Sequence, residues 1–165
     1  MKENINLKHF AMLSILIMLL AGCSNNGDYK SRPVPVKLDS HYACAICGMT
    51  VFDQPGPKAQ ILYDKDKTAA FCSTSDMFIY YLQPDRPINI RAIYVEEIGG
   101  NEKPSGKWID GESAYYVYGK DIAGYMGNTF IPFASASKAK EFADKHNGLI
   151  TRIDKVNLGM IGLKE

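Results

Sequence analysis

The stretch AQILYDKDKTAAFCSTSDMFIYYLQP, residues 59–84, decides the fold that we predict for this chain. Within it, residues 59–64 and 68–72 are short and largely apolar, and the polar Lys-Asp-Lys between them predicts a hairpin turn. Ser73 is followed three residues later by Asp76, a spacing that resembles a capping box and predicts a helix of about two turns. The local order is therefore strand, strand, capped helix.

The same order recurs later in the chain. Residues 114–118 and 129–134 predict two strands, and residues 135–147 predict a helix because apolar residues recur at spacings of three and four. Phe-Ala-Ser before this helix echoes Phe-Cys-Ser before the first. We therefore expect an internal duplication and an α+β fold, in which two similar ββα-type units share a small mixed or antiparallel β core. Two further strands are predicted over 88–97 and 149–154, and a polar loop over 100–106 follows the first of them.

Composition excludes several classes of protein. Lys plus Arg number 19 and Asp plus Glu 18, and the two counts become equal without residues 1–22. A chain without net charge has no electrostatic footprint for nucleic acid. Apolar residues make up 46% and charged residues 22%, which indicates a folded domain rather than a disordered or multi-span membrane protein. No phosphate loop, dinucleotide fingerprint or nucleophile–base motif is found, so we do not expect an enzyme.

The N-terminus predicts export. Residues 10–20 are apolar except for Ser14, and at 1.5 Å per residue they span about 16 Å, roughly half of a bilayer's hydrocarbon core. Such a segment is typical of a signal peptide. The following LAGC, residues 20–23, resembles the lipobox of bacterial lipoproteins, which implies cleavage before Cys23 and a diacylglycerol on its sulfur. The alternative is an ordinary secretory signal with a stray cysteine.

We therefore expect four segments along the chain. Residues 1–22 form a lipoprotein signal peptide, residues 23–40 a flexible tether, residues 41–155 the folded domain and residues 156–165 a C-terminal tail. Acylated Cys23 would anchor the protein in a lipid bilayer on its extracytoplasmic or periplasmic face, with the outer membrane possible.

The segment Cys44-Ala-Ile-Cys47-Gly48-Met49 carries the first chemical signal. It places two thiols within reach of one metal ion and a thioether immediately beyond a turn-permitting glycine. Thiolate and thioether are soft donors, which favour Cu(I) over Mg²⁺ or Ca²⁺. The single C-x-x-C motif does not supply the four ligands of a closed zinc site. Taken alone, Met49 is more typical of a core methionine.

Two further sulfur-bearing residues are candidate ligands. Cys72 ends a predicted strand and precedes a helix, where we expect a lowered pKa and more thiolate, although a buried and inert cysteine is the alternative. Met126 lies in a glycine-flanked loop, which gives ligand and core roles equal weight. Without Cys23 the chain has three thiols, an odd number that cannot pair completely within one chain.

Together these motifs resemble the NosL family of nitrous oxide reductase accessory lipoproteins, in motif order and over residues 42–154. The matching segments are Cys44-x-x-Cys47-Gly48-Met49, Pro55-Gly56-Pro57-Lys58, Phe71-Cys72-Ser73-Thr74-x-Asp76-Met77, Ile93-Tyr94-Val95, Trp108-Ile109-Asp110, Ala114-Tyr115-Tyr116-Val117-x-Gly119, Met126-Gly127 and Pro132-Phe133-Ala134.

The resemblance implies a copper chaperone that is held on a membrane and binds Cu(I). Its implied partners are nitrous oxide reductase and the membrane assembly machinery of that enzyme, and its implied fold is similar to that of organomercurial lyase. Within the domain at 41–155, the candidate copper ligands implied here are Cys44, Cys47, Met49, Cys72 and Met126.

Two other functions remain open. An extracytoplasmic thiol–disulfide protein could use Cys44 and Cys47, although the C-x-x-C motif here follows a linker rather than the strand of a βαβ unit. A structural metal or disulfide knot could instead brace a partner-binding module, and a chelator or reductant would then unfold the domain.

Overall fold

The computed structural model describes residues 31–119, 121–124 and 127–162. Contacts divide the chain into two units, residues 1–31 and residues 32–165, and of the first unit only Ser31 is described. The predicted signal peptide, the acylation site Cys23 and the candidate ligand Met126 therefore lie outside the described residues. Among the described residues, no helix has the length and apolar content needed to span a bilayer.

The described residues form nine strands and two α-helices. The elements of the first half are β1 (Ala59–Tyr63), β2 (Lys67–Phe71), α1 (Thr74–Tyr81), β3 (Ile90–Ile98) and β4 (Pro104–Asp110). Those of the second half are β5 (Tyr115–Tyr118), β6 (Ala123–Gly124), β7 (Gly127–Asn128), β8 (Ile131–Phe133), α2 (Ala136–Lys145) and β9 (Leu149–Thr151). Two short 3-10 turns follow at Ile153–Lys155 and Leu158–Ile161.

The first half builds a four-stranded antiparallel sheet in the order β2-β1-β3-β4. Asp64, in the left-handed conformation with φ +49°, makes the turn between β1 and β2. Helix α1 has the predicted cap, because the Ser73 side chain accepts the backbone N–H of Asp76 at 3.1 Å. The hairpin and capped helix predicted from residues 59–84 are thus confirmed.

The second half builds a three-stranded antiparallel sheet in the order β8-β5-β9, with α2 packed against it. Pro132 lies on β8, an edge strand, where its missing N–H costs no ladder bond. Helix α2 ends at Lys145, two residues before the end of the helix predicted over 135–147. Asn147 takes the left-handed conformation with φ +49°, and Gly148 is instead needed for space, since a Cβ there would lie 2.6 Å from a Val117 methyl group.

Two apolar cores hold these sheets together, and β5 contributes to both. Tyr116 is buried in the larger core and its neighbour Val117 in the smaller one, because successive side chains of a strand point to opposite faces. The larger core includes Val51, Phe71, Met77, Phe78, Val95, Tyr116 and Phe130, and the smaller includes Ile98, Val117, Ile122, Phe133, Ala139 and Ala143. The predicted α+β class, with two helices and small antiparallel sheets, is confirmed.

Both ends of the described chain lie against the domain. Arg32 pairs with Asp110 through a 2.9 Å hydrogen bond, and the fully buried Gln60 side chain accepts the Val36 N–H at 2.9 Å and donates to the Val36 carbonyl at 3.2 Å. At the other end, Met160 packs on the larger core. These contacts fall in segments that the sequence assigns to the tether and the tail, whose boundaries stay predictions.

Candidate metal centre

The C-x-x-C segment forms a tight loop closed by its own backbone. The Cys44 N–H donates to the Met49 carbonyl at 2.8 Å, and the Gly48 N–H donates to the Cys44 carbonyl at 2.9 Å. Gly48 makes the reversal possible with φ +74°, a conformation that favours glycine. The Ala45 N–H also donates to the Ala70 carbonyl at 2.9 Å, which fixes the loop beside the end of β2.

Strand β2 and helix α1 supply the other half of the site. Cys72 lies in the short connection between them, and Asp76 lies in the first turn of α1. The buried Thr74 hydroxyl donates to the Phe130 carbonyl and so fixes the start of α1 to the segment that precedes β8. Each candidate group is thereby held by backbone or buried contacts.

These elements bring three thiols and one carboxylate together. One ligand atom each from Cys44, Cys47, Cys72 and Asp76 lies within 4.8 Å of the other three, and we call these residues the four-residue cluster. The Cys47 and Cys72 sulfurs are 3.3 Å apart, and the Cys44 thiol donates to the Asp76 carboxylate at 3.5 Å. All three cysteines are free thiols.

The cluster is open to solvent on one side. Cys44, Cys72 and Asp76 are 4%, 2% and 8% exposed, whereas Cys47 is exposed. A metal ion or a reagent therefore reaches the cluster past Cys47.

Burial sets different protonation tendencies on the three thiols. Burial is the main cause that raises the pKa of Cys44. The pKa of Cys72 is also raised, first by burial and then by hydrogen bonding to the other two thiols. The lowered pKa that we expected for Cys72 at a helix N-terminus is therefore wrong, because loss of hydration outweighs the helix dipole.

Cys47 behaves in the opposite way. Burial pushes its pKa upward, but a hydrogen bond with the Met49 backbone and those with Cys72 and Cys44 outweigh this, so that the pKa of Cys47 is lowered. The exposed thiol is thus the one that most readily forms a thiolate, the form that binds metals and attacks disulfides.

The structure brings together three of the five predicted ligands, Cys44, Cys47 and Cys72. Met49 is partly buried against the larger core, and its role as a ligand stays a prediction, as does that of Met126. Asp76 is the member that the sequence reasoning missed. Its position four residues after Cys72, one helical turn away, could have indicated it, but the spacing from Ser73 explained it as a capping residue.

Three thiols and a carboxylate gathered in a small α+β domain form a set of donors that can hold a soft metal ion. The family model described as NosL matches residues 35–161. The chain belongs to the NosL family, and the resemblance seen in its motifs is confirmed.

Known members of the family support this assignment along most of the chain. The copper-binding lipoprotein NosL of Stutzerimonas stutzeri is 34% identical over 154 residues, which cover 91% of this chain and 80% of that protein. The copper-binding lipoprotein NosL of Achromobacter cycloclastes is 27% identical over 159 residues, covering 92% and 81%. The crystal structure of the copper chaperone NosL from Shewanella denitrificans matches with a TM-score of 0.69 and 28% identity, covering 76% of this chain and 97% of that one.

Proposed function

We propose that this protein is a membrane-anchored, extracytoplasmic Cu(I) chaperone that delivers copper for the maturation of nitrous oxide reductase. The observation that carries the proposal is the convergence of three free thiols from two separate segments, with ligand atoms within 4.8 Å of one another. Its relatives bear the names of copper-binding lipoproteins and of a copper chaperone.

The spacing of the sulfurs suits a single ion. Metal–thiolate bonds of about 2.3 Å place two sulfurs on one ion at most about 4.6 Å apart. The 3.3 Å between Cys47 and Cys72 widens to such a distance with a small movement of the exposed Cys47. Soft thiolates select soft ions such as Cu(I), while the Asp76 oxygen is a harder donor and instead accepts the Cys44 thiol.

Copper in this proposal is cargo, and the geometry favours its release as well as its capture. Two thiols are buried and fixed between secondary-structure elements, which retains the ion. The third is exposed on a loop, where an incoming soft ligand of an acceptor protein can replace it. Met49 follows this loop, and its thioether would add a donor that needs no deprotonation and forms no disulfide.

Titration of the reduced protein with Cu(I) under anaerobic conditions tests the copper site. Native mass spectrometry should count about one copper per chain, and a colorimetric competitor should report its affinity. A Cys47→Ser, Met49→Leu double variant should lose this binding, whereas Met160→Leu, which changes a methionine outside the four-residue cluster, should keep it. Unchanged binding in the double variant would refute the proposed site.

Air oxidation should weaken the same binding. Protein purified in air should bind copper poorly until it is reduced, because a disulfide is a poor donor. Equal binding before and after reductant would show that thiolates are not the ligands. The competing thiol–disulfide function instead predicts rapid catalytic reduction of insulin disulfides by the metal-free protein.

The anchor and the recipient need cellular tests. A Cys23→Ala variant should move from the membrane fraction to the soluble extracytoplasmic fraction, since the lipobox sequence and the lipoprotein names of the relatives both support acylation there. Deleting the gene should lower the copper content of nitrous oxide reductase. A gene that encodes the Cys47→Ser, Met49→Leu double variant should fail to restore that copper content. Full copper content in the deletion strain would exclude the proposed delivery.

A further inference from the structure

One sulfur pair in contact within the four-residue cluster joins two distant segments. Cys47 and Cys72 are 25 residues apart in sequence, and their sulfurs are 3.3 Å apart. A disulfide needs a separation of about 2.05 Å, so the two sulfurs must approach by roughly 1.3 Å. The Cys47 side chain is exposed and can turn toward Cys72 by a change of rotamer, while Cys72 is buried between β2 and α1.

The third thiol is engaged differently. Cys44 donates to the Asp76 carboxylate at 3.5 Å, and with 4% of its surface exposed it is shielded from a reagent in solution. Exposure and contact therefore give the three cysteines three separate positions: an accessible one, a buried neighbour of it, and a buried one that faces a carboxylate.

We propose that Cys47 and Cys72 form an intramolecular disulfide that alternates with copper binding, and that Cys44 stays reduced. The oxidant is a disulfide in the surrounding medium, of low molecular weight or on a thiol-oxidising protein. The sulfur of Cys47 attacks one sulfur of that external disulfide. The S–S bond of the external disulfide breaks and releases the first thiol, which leaves a mixed disulfide on Cys47. Cys72 then attacks the Cys47 sulfur of the mixed disulfide and displaces the second thiol.

The step balances without a further reactant. Two protein thiols and one external disulfide become one protein disulfide and two external thiols, and the two protons leave with the displaced thiols. Oxidation removes two of the three thiolate ligands together and leaves Cys44 as the remaining thiolate, which makes a weaker site for Cu(I). Only this consequence for copper rests on the proposed function, because the disulfide itself follows from the geometry.

Peptide mapping of the metal-free protein tests the pairing. The reduced protein is treated with oxidised glutathione, quenched with acid, alkylated and cut with trypsin. Cleavage after Lys and Arg, except before proline, puts Cys44 and Cys47 in peptide 38–58 and Cys72 in peptide 68–91. We expect the two peptides to be linked through Cys47 and Cys72, with Cys44 alkylated. A disulfide within peptide 38–58, or a link through Cys44, would overturn the proposal.

Two variants separate attack from resolution. Cys44→Ala should still form the same disulfide between Cys47 and Cys72. Cys72→Ala should accumulate a glutathione adduct on Cys47, because the second thiol is missing. Failure of Cys44→Ala to form the link, or a Cys47 that remains unmodified in Cys72→Ala, would contradict the assigned order of attack.

Copper titration of both redox forms tests the consequence. We expect the oxidised protein to bind Cu(I) at least about 100-fold more weakly than the reduced protein, a loss beyond the usual effect of an outer-shell change, and reduction to restore the affinity. Retained copper binding by the cross-linked protein would overturn the alternation. If the reduced protein bound no copper, the proposed function would fail while the peptide map still decided the disulfide.

Discussion

Replacing Gly48 with alanine tests how the backbone arranges the thiols. Gly48 has φ +74°, and a Cβ built there meets no atom within 4 Å, so the substitution costs backbone strain alone. An L-residue in this conformation costs roughly 1–2 kcal/mol. The metal-free variant must either carry that strain or relax the loop between Cys44 and Met49, which would separate the thiols.

The strain energy of the Gly48→Ala variant should appear either in its unfolding free energy or in its Cu(I) affinity. Strain that is carried lowers the free energy of unfolding by about 1–2 kcal/mol and leaves the Cu(I) affinity unchanged. Strain that the free loop relieves reappears as Cu(I) binding that is about 5–30-fold weaker. Urea denaturation of the reduced protein measures the first loss and anaerobic competition titration the second. Together they should amount to about 1–2 kcal/mol.

Gly106 offers a matched control outside the thiol loop. It lies in β4 with φ +74°, and its added Cβ likewise meets no atom within 4 Å. Gly106→Ala should lower stability by a similar amount without weakening copper binding. Gly48→Asn should be milder than Gly48→Ala, because asparagine tolerates the left-handed region. A Gly48→Ala protein that matches the wild type in both assays would refute the role assigned to this turn.

Three further predictions concern stability. Thr74→Val should lower the unfolding free energy in urea by about 1–3 kcal/mol, because the buried Phe130 carbonyl loses its donor. Thr74→Ser keeps the hydroxyl and should retain most of the wild-type stability. Equal losses of stability in the two variants would contradict the role of the hydrogen bond. Burial opposes ionisation of Glu97, but the Ala134 N–H and Lys107 outweigh it and lower its pKa below the ordinary 4.5. Its stabilisation is therefore present above pH 4.5 and lost as pH falls through the lower folded value. Glu97→Gln should flatten the acid limb of a stability–pH curve, and an unchanged limb would refute this. Gly148→Ala should cost about 1–3 kcal/mol by overpacking against Val117, with Gly100→Ala, where nothing lies within 4 Å, near neutral in the same thermal melts.

Local signals predicted the first ββα unit well. Turn residues and a capping serine placed β1, β2 and α1 to within about two residues, because each boundary is set by neighbours in sequence. The prediction of the second unit was less accurate. The strand predicted over 129–134 covers only Ile131–Phe133, and the Phe130 carbonyl just before it accepts the Thr74 hydroxyl of a distant segment.

Strand β4 shows where a polar composition misleads. The sequence predicts a loop over 100–106, yet the strand starts at Pro104 because residues of β3 pair with it. Gly106 adopts its positive φ within the strand, and its N–H donates to the Glu96 carboxylate. The pairing that makes this segment a strand comes from a partner element, which no local pattern encodes.

The candidate site divides in the same way between local and distant information. The pair Cys44 and Cys47 could be predicted from its spacing, whereas the approach of Cys72 depends on the hydrogen bond from Ala45 to Ala70 between separate segments. The direction of the pKa shift of Cys72 was mispredicted because burial is a tertiary property. The capping role was a sufficient local explanation of Asp76, so its proximity to the thiols was not predicted.

The alternation along β5 connects the two halves of the fold, because this one strand contributes to both cores. Because neighbours Tyr116 and Val117 are buried in different cores, melting either unit would expose one face of the same strand. A chain cut in the connection between the halves should therefore leave two fragments that fold only when mixed. We therefore expect the two halves to unfold together in a single transition.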